Sequence, residues 1–168
     1  MKKTKIVSLM GVYTAVAMIL AYVEVLLPPV FPAVPGIKMG LPNVIIIFLL
    51  YRYGASYAAC VSFVRIVLVS LLFGNFVSFL YSLAGGALSL LVMILLRRLN
   101  FLSAVGVSVG GGVIHNVGQI LMAMLLLETA GLGYYLVVLI FTGTVMGILI
   151  GLCGNLLIKK IPEKLLKP

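Results

Sequence analysis

Long apolar runs alternate with short breaks along almost the whole chain. The breaks are rich in proline, glycine and charged residues, and they delimit six apolar segments. These segments cover approximately residues 6–27, 43–53, 55–73, 76–96, 102–127 and 134–158. Five of them are close to, or above, the roughly 20 residues that a helix needs to cross a bilayer. The pattern therefore predicts an all-α, polytopic membrane protein, with residues 1–168 forming one integral membrane domain that is a six-helix transmembrane bundle.

The second segment is too short to cross the bilayer as an upright helix. Its 11 residues span about 16 Å at 1.5 Å per residue, about half of the hydrocarbon thickness. We expect it to be tilted, broken or shielded by protein. The preceding outer loop, residues 28–42, contains five prolines, which exclude a regular helix and stiffen the loop. This loop is either a rigid connector at the membrane surface or a lid over an outward cavity, and Lys38 favours the lid.

The positive charges orient the chain. If the segments alternate across the membrane, ten of the twelve Lys and Arg residues fall on one side. They are Lys2, Lys3, Lys5, Arg52, Arg97, Arg98, Lys159, Lys160, Lys164 and Lys167. Cytoplasmic loops collect Lys and Arg, so both termini are predicted to be cytoplasmic, and the short second segment has to be a true crossing.

Composition indicates that the bilayer is the solvent of this chain. The sequence is 64% hydrophobic and 9% charged, with a mean hydropathy of +1.32. A net charge of +9 could indicate nucleic acid in a soluble protein, but here the cations border the apolar segments. Anionic lipid and topology explain this charge, and no nucleic-acid partner is expected. We expect a multi-pass protein of the cell membrane, in a bacterial plasma membrane.

Small residues recur at helical spacing on the first and last segments, and such ridges allow helix backbones to approach closely. They are Gly11 with Ala15, Ala17 with Ala21, and the glycine ridge Gly143, Gly147 and Gly151. We interpret the glycine ridge mainly as internal helix packing. The alternative is a contact face for another membrane subunit.

Ionisable residues inside a membrane are costly, and this chain has few of them. Glu24 is expected about one helical turn below the outer surface, and Arg65 about 15 Å from the inner surface. Two interpretations follow. Either the two residues form a structural ion pair that fixes the helix register, or Arg65 binds an anionic part of a substrate.

The fifth segment carries a group of polar residues in an apolar setting. His115, Asn116 and Gln119 lie within five residues, and positions 115 and 119 share one helical face. Polar residues in a span often satisfy one another. Three so close together, next to a run of glycines, favour a ligand site instead.

Polar residues of other segments are expected at a similar depth, in the outer half of the membrane. Asn75 and Tyr81 come from the fourth segment, Arg65 from the third and Lys38 from the outer loop. Together with the fifth segment they predict a substrate-binding pocket that opens to the outside. Lys38 and Arg65 attract a negative or polar head group in this hypothesis, the fifth segment orients it, and Tyr81 supplies a flat apolar wall.

The sequence offers little for catalysis. It contains no Asp to hold magnesium on a diphosphate, and no glycine-rich loop with Lys and Ser or Thr that matches a nucleotide site. His115 has no acidic neighbour in sequence to orient it as a base. The Cys and His spacings match no metal site. We therefore expect no catalytic residue, metal or cofactor, and a chain that is not an enzyme by itself.

Four stretches resemble one membrane protein family, in the same order and over nearly the whole chain. They read PGIKMGLPNV, RIVLVSLLFGN, FLYSLAGGALSLLVM and GGVIHNVGQILMA. The family carries two labels, "heptaprenyl diphosphate synthase component I" and "Gx transporter". It is similar in turn to the substrate-binding S components of energy-coupling factor (ECF) transporters.

The resemblance implies a six-helix bundle that binds a small vitamin-like or cofactor-related solute from outside, while a membrane coupling protein and ATPase subunits energise uptake. In S components, small residues on the first helix contact the coupling protein, which either Gly11 with Ala15 or Ala17 with Ala21 could do here. Two alternatives stay open. One is a non-catalytic accessory subunit of a heptaprenyl diphosphate synthase, and the other is a membrane component of a flavin- or quinone-linked redox assembly.

Overall fold

The computed structural model describes residues 3–27 and 38–161, and this part of the chain is helical, without strands. Six α-helices follow one another, with a short 3-10 helix before the last. Their bounds are α1 Lys3–Leu26, α2 Asn43–Arg52, α3 Ala55–Phe73, α4 Phe76–Arg98, α5 Ala104–Leu126, the 3-10 helix Ala130–Tyr135 and α6 Leu136–Lys160. The prediction of an all-α membrane bundle is confirmed. The lid interpretation falls mainly on residues 28–37, which lie outside the described residues.

The helices end where the sequence supplies caps or special backbone conformations. Asn75 and Ser103 precede α4 and α5, and their side chains accept hydrogen bonds from the backbone N–H groups of Ser78 and Gly106. Such caps satisfy donors that the first helical turn leaves unpaired. Gly54, between α2 and α3, has a φ of 95°, which glycine adopts without steric cost. The breaks in the apolar pattern are therefore true helix boundaries.

The short helix α2 lies at the centre of the molecule. Five described helices are long and apolar enough to cross a membrane, whereas α2 has only 10 residues. Seven of these ten are buried. Residues of the surrounding helices pack around α2 in one apolar core, among them Ala17, Val61, Met93 and Val107. Protein therefore shields this short crossing from lipid, as one of the expected arrangements requires.

Glycines bring α5 and α6 into close contact. All three residues of the ridge Gly143, Gly147 and Gly151 are buried. A Cβ atom added to Gly147 would lie 2.6 Å from the Cα atom of Val109, and one added to Gly151 would lie 2.8 Å from that of Val105. Neither distance leaves room for a side chain. The ridge therefore packs inside the bundle against α5.

The two small pairs of α1 lie on different faces of this helix. Ala17 and Ala21 are 0% and 1% exposed, and α1 packs mainly against α3. Gly11 and Ala15 are exposed, and a Cβ atom at Gly11 would meet nothing within 4 Å. Of the two faces considered for a partner, the one with Gly11 and Ala15 is left uncovered by the described residues.

Arginines tie three helix ends together at one end of the bundle. Arg52 donates hydrogen bonds to two carbonyl groups at the end of α6. One belongs to Ile158, in the last turn of the helix, and the other to Ile161, which directly follows it. Arg97 of α4 donates to the carbonyl groups of Leu50 and Tyr51 in the last turn of α2. Cations at helix C-termini interact favourably with unpaired carbonyl groups. The basic breaks thus meet at one end, which we call the inner end after the prediction from the sequence that positive charge faces the cytoplasm.

Candidate functional site

The chain enters the bundle from its opposite, outer end through residues 38–42, which we call the entry segment. Most of this segment is non-helical, yet Gly40 and Pro42 are buried. Gly40 N–H donates a hydrogen bond to the Glu24 carboxylate, and Lys38 N–H donates to Gln119 Oε1 at 3.2 Å. Non-helical backbone at membrane depth requires such protein partners, because lipid offers none. The entry segment therefore extends the path of α2 toward the outer end of the bundle, with backbone N–H groups paired by Glu24 and Gln119.

Two glycines make room for the His115 ring. Gly40 has a φ of 86°, and a Cβ atom there would lie 2.9 Å from Asn43 Nδ2 and 3.6 Å from the His115 ring. A Cβ atom at Gly85 of α4 would lie 2.8 Å from both Gln119 Cγ and the His115 carbonyl oxygen. A left-handed conformation at Gly40 and a close helix approach at Gly85 both require glycine. The imidazole consequently lies between the entry segment and α4.

Hydrogen bonding determines the protonation state of His115. Gln119 Nε2 and His115 Nε2 are 3.0 Å apart, one helical turn from each other on the same face. Gln119 Oε1 already accepts from the backbone of Lys38, so Gln119 Nε2 is the donor to the ring. His115 Nε2 then carries no proton, and the ring is neutral with its proton on Nδ1.

Asn116 points to a different neighbour from His115. Its Nδ2 donates to the Leu139 carbonyl oxygen at 2.8 Å and lies 3.4 Å from Thr142 Oγ1, both on α6. The amide therefore links α5 to α6, about 100° around the axis of α5 from His115.

Arg65 is buried without a hydrogen-bond partner for two of its nitrogens. The residue is 6% exposed, and its Nε and Nη2 atoms contact no acceptor within the described residues. The carboxylate of Glu24 accepts from Gly40 instead, although it interacts with Arg65 through space. The charge of Arg65 also acts on Lys38 and His115. Burial of this guanidinium costs free energy, because Nε and Nη2 lose their hydrogen bonds to water and gain none from the described residues.

Lys38 lies in the entry segment, beside this group. Its ammonium group interacts through space with the carboxylate of Glu24 and the guanidinium of Arg65. Glu24, Lys38, Arg65, His115 and Gln119 thus form what we call the polar cluster. Its members come from α1, the entry segment, α3 and α5.

A cavity of about 220 Å³ adjoins the polar cluster between the entry segment, α5 and α6. It is lined by Lys38, Met39, Asn116, Leu139, Phe141, Thr142, Val145 and Met146. Most of this lining is apolar. Phe141 and Val145 are 69% and 41% exposed, so the cavity is open on the outer surface of α6 that faces lipid.

Besides Asn116, two predicted site residues do not join the polar cluster. Asn75 is exposed and caps α4 by accepting from Ser78 N–H at 2.8 Å. Tyr81 is 2% exposed and packs with Ile120, Ala123 and Leu139 in a small apolar core. No group of three or more potential metal-ligating His, Cys, Asp or Glu side chains occurs in residues 3–27 and 38–161.

Sequence reasoning missed the apolar part of the site. Gly40 and Gly85 were not recognised as neighbours of His115, although both occur within stretches that carried the family resemblance. The cavity lining on α6, including Leu139, Thr142 and Val145, gave no polar signal that separates it from an ordinary membrane helix.

Comparison with known proteins identifies the family. The family model described as "Heptaprenyl diphosphate synthase component I" matches residues 13–157, which include the whole polar cluster and the cavity lining. No curated protein and no solved structure matches the chain. The match covers far more than half of the sequence, and the helices are those of a multi-pass membrane protein. The chain therefore belongs to the heptaprenyl diphosphate synthase component I family.

Proposed function

We propose that this chain is a substrate-binding membrane subunit for uptake of a small vitamin-like or cofactor-related solute. It takes the solute from the outer side, in a bacterial plasma membrane, and separate coupling and ATPase subunits energise release inside. The observation that carries this proposal is the buried guanidinium of Arg65, which has unpaired donors within a cluster built from four parts of the chain.

A purely structural role explains this guanidinium poorly. Ionisable residues inside a membrane persist when they are paired or functional, since each costs several kcal/mol. Glu24 interacts with Arg65 without a direct hydrogen bond, and the described structure leaves Nε and Nη2 of Arg65 without acceptors. A ligand that supplies acceptors to Nε and Nη2 of Arg65 offsets the desolvation cost of the guanidinium.

The entry segment supplies a route from outside. Its backbone N–H groups occupy acceptors of Glu24 and Gln119, the two side chains next to Arg65 and His115. Displacement of residues 38–42 frees both acceptors at once and uncovers the cluster. The segment then acts as the inner part of a gate.

The inner half of the bundle favours a separate energy source. The core around α2 consists of large apolar side chains, including Ile46, Ile47, Phe48 and Leu50, each 1% exposed or less. A polar solute cannot pass through such a core without a large movement of the bundle. A coupling subunit that drives this movement accounts for the missing nucleotide motif, and the free Gly11 and Ala15 face of α1 is available to it.

Native mass spectrometry tests the proposal. The full chain is purified in mild detergent from its own host, and co-purifying small molecules and proteins are measured together. We expect a water-soluble ligand with coupling and ATPase subunits, and loss of the ligand in a folded Arg65→Met variant. Retention of the same ligand by Arg65→Met would contradict the role given to this residue.

A second candidate follows from the family description. A component I implies a partner synthase component, and this chain would then be a non-catalytic accessory subunit of a heptaprenyl diphosphate synthase. A soluble prenyl synthase bound to the purified chain, with no small ligand, would favour this candidate. The polar cluster would then be structural.

A further inference from the structure

The polar cluster has an unbalanced charge. By formal charge, Arg65 and Lys38 each carry +1, Glu24 carries −1 and His115 is counted as neutral. The polar cluster therefore carries a formal net charge of +1. No Asp occurs in the chain, and of its other two Glu residues, Glu128 follows α5 and Glu163 follows α6. No carboxylate of the described helices is left to balance the charge.

The cavity beside the polar cluster is mainly apolar. Lys38 belongs to the cluster and also lines the cavity, so a molecule bound in the cavity contacts this member of the cluster, which in turn interacts through space with Arg65 and Glu24. Beyond Lys38, the walls are apolar and continue along α6 through Leu139, Val145 and Met146. Apolar walls favour an apolar ligand body.

We propose that the ligand is an amphipathic anion with a single negative charge. Its acidic group lies between Lys38 and Arg65, where it supplies acceptors to the unpaired Nε and Nη2 atoms, and its apolar body occupies the cavity against α6. This inference rests on the proposed function and specifies the chemical class of the solute. A carboxylate fits these demands, since a guanidinium binds it through two parallel hydrogen bonds.

The charge balance also discriminates among anions. A phosphate monoester carries about two negative charges at neutral pH, and would turn the net charge of the cluster from positive to negative. A neutral total is the favourable one inside a membrane. The site therefore prefers a monocarboxylate over a phosphate ester of the same chain length.

The test uses three probes with the same eight-carbon chain: octanoate, octanamide and octyl phosphate. The full chain, washed free of bound ligand in detergent, is heated with each probe, and the fraction that stays monodisperse is measured by size-exclusion chromatography. Bound ligand raises the midpoint temperature in a saturable way. We expect octanoate to stabilise at the lowest concentration, octyl phosphate at a higher one, and octanamide to have no saturable effect.

Two variants test where the acidic end and the apolar end of octanoate bind. Arg65→Met removes the charge-assisted hydrogen bonds, so its half-saturating octanoate concentration rises about tenfold or more. Val145→Trp fills the cavity and has the same consequence from the apolar end. Leu149→Trp is the matched control, because this side chain is exposed one turn further along α6 and does not line the cavity. Leu149→Trp is expected to leave the half-saturating octanoate concentration unchanged.

Glu24→Gln tests the charge argument separately. Glutamine keeps a carbonyl oxygen for Gly40 N–H, while the net charge of the cluster rises by one. The preference is then expected to move from octanoate toward octyl phosphate. An unchanged preference in this variant overturns the charge-balance argument.

The inference and the proposed function fail in different ways. If octanamide stabilises as well as octanoate, or if Arg65→Met and Val145→Trp respond like wild type, the inference is wrong while a co-purifying ligand still supports a binding subunit. If no probe has a saturable effect and no small molecule co-purifies with the chain, the inference and the binding function both fail.

Discussion

At the residue scale, the buried charge of Arg65 lowers the stability of the protein when no ligand is bound. We predict that Arg65→Met raises the thermal stability of ligand-free protein, because buried charges replaced by apolar side chains of similar size are often neutral or stabilising by about 1–4 kcal/mol. The remaining Lys38 and Glu24 then balance each other. Heating followed by size-exclusion chromatography measures the change.

Arg65→Lys is the control for this prediction. It retains the buried charge, so we expect no gain in stability. It also loses the planar guanidinium, which can bind a carboxylate through two parallel hydrogen bonds. A fall in stability of Arg65→Met of about 3–5 kcal/mol would instead support a structural ion pair between Arg65 and Glu24, since breaking such a pair leaves an uncompensated charge.

Helical spacing predicted part of this site, and only part. Positions 115 and 119 are one turn apart, so their contact follows from the sequence. The hydrogen bond from Lys38 N–H to Gln119 joins residues 81 positions apart, and it exists because the entry segment turns into the bundle. Asn116 faces α6 because residues next to each other on a helix point to different sides. Spacing within one helix contains no information on such partners.

At the element scale, the contact between α5 and α6 depends on the buried glycine ridge. We predict that Gly147→Leu destabilises the bundle by about 1–3 kcal/mol or more, the usual cost of overpacking, because the added Cβ atom would lie 2.6 Å from the backbone of Val109. Backbone atoms cannot rotate away as a side chain can. Gly11→Leu adds the same group in open space on α1 and should be tolerated. Equal stability of the two variants would remove the packing argument.

The inner end offers a second test at this scale. Arg97→Leu leaves the carbonyl groups of Leu50 and Tyr51 without their donor, so we predict a loss of about 1–3 kcal/mol in the free energy of unfolding. Arg98→Leu is the matched control, because Arg98 is the next residue in the same helical turn and is exposed. A similar loss in both variants would indicate a general effect of charge and not the capping of α2.

The helices themselves were accessible from the sequence, because the breaks contain residues with known local roles. Gly54 adopts a positive φ, and Asn75 and Ser103 cap the helices that follow. The burial of α2 was not accessible, since its apolar composition resembles that of the lipid-facing helices. The sequence restricted α2 to being tilted, broken or shielded, and only packing against α1, α3 and α6 distinguishes these cases.

At the scale of the whole molecule, charge and structure together define two ends. Arg52, Arg97 and the C-terminal turn of α6 meet at one end, whereas Lys38, Glu24 and His115 gather toward the other. The apolar core around α2 lies between them. A subunit with this arrangement presents its polar cluster to one compartment and its basic surface to the other.

The orientation of the molecule in the membrane therefore decides whether the proposed uptake from outside is possible. After replacement of Cys60 and Cys153 by serine, a single cysteine is placed at Glu128, in the exposed connection after α5, or at Lys159, in the last turn of α6. A membrane-impermeant maleimide added to intact cells is expected to label Glu128→Cys and to spare Lys159→Cys until the membrane is opened, because the positive-inside rule predicts a cytoplasmic basic end. The reverse pattern would place the polar cluster toward the cytoplasm. The same site would then receive its ligand from inside the cell, which excludes uptake and suits an accessory subunit that serves a soluble synthase.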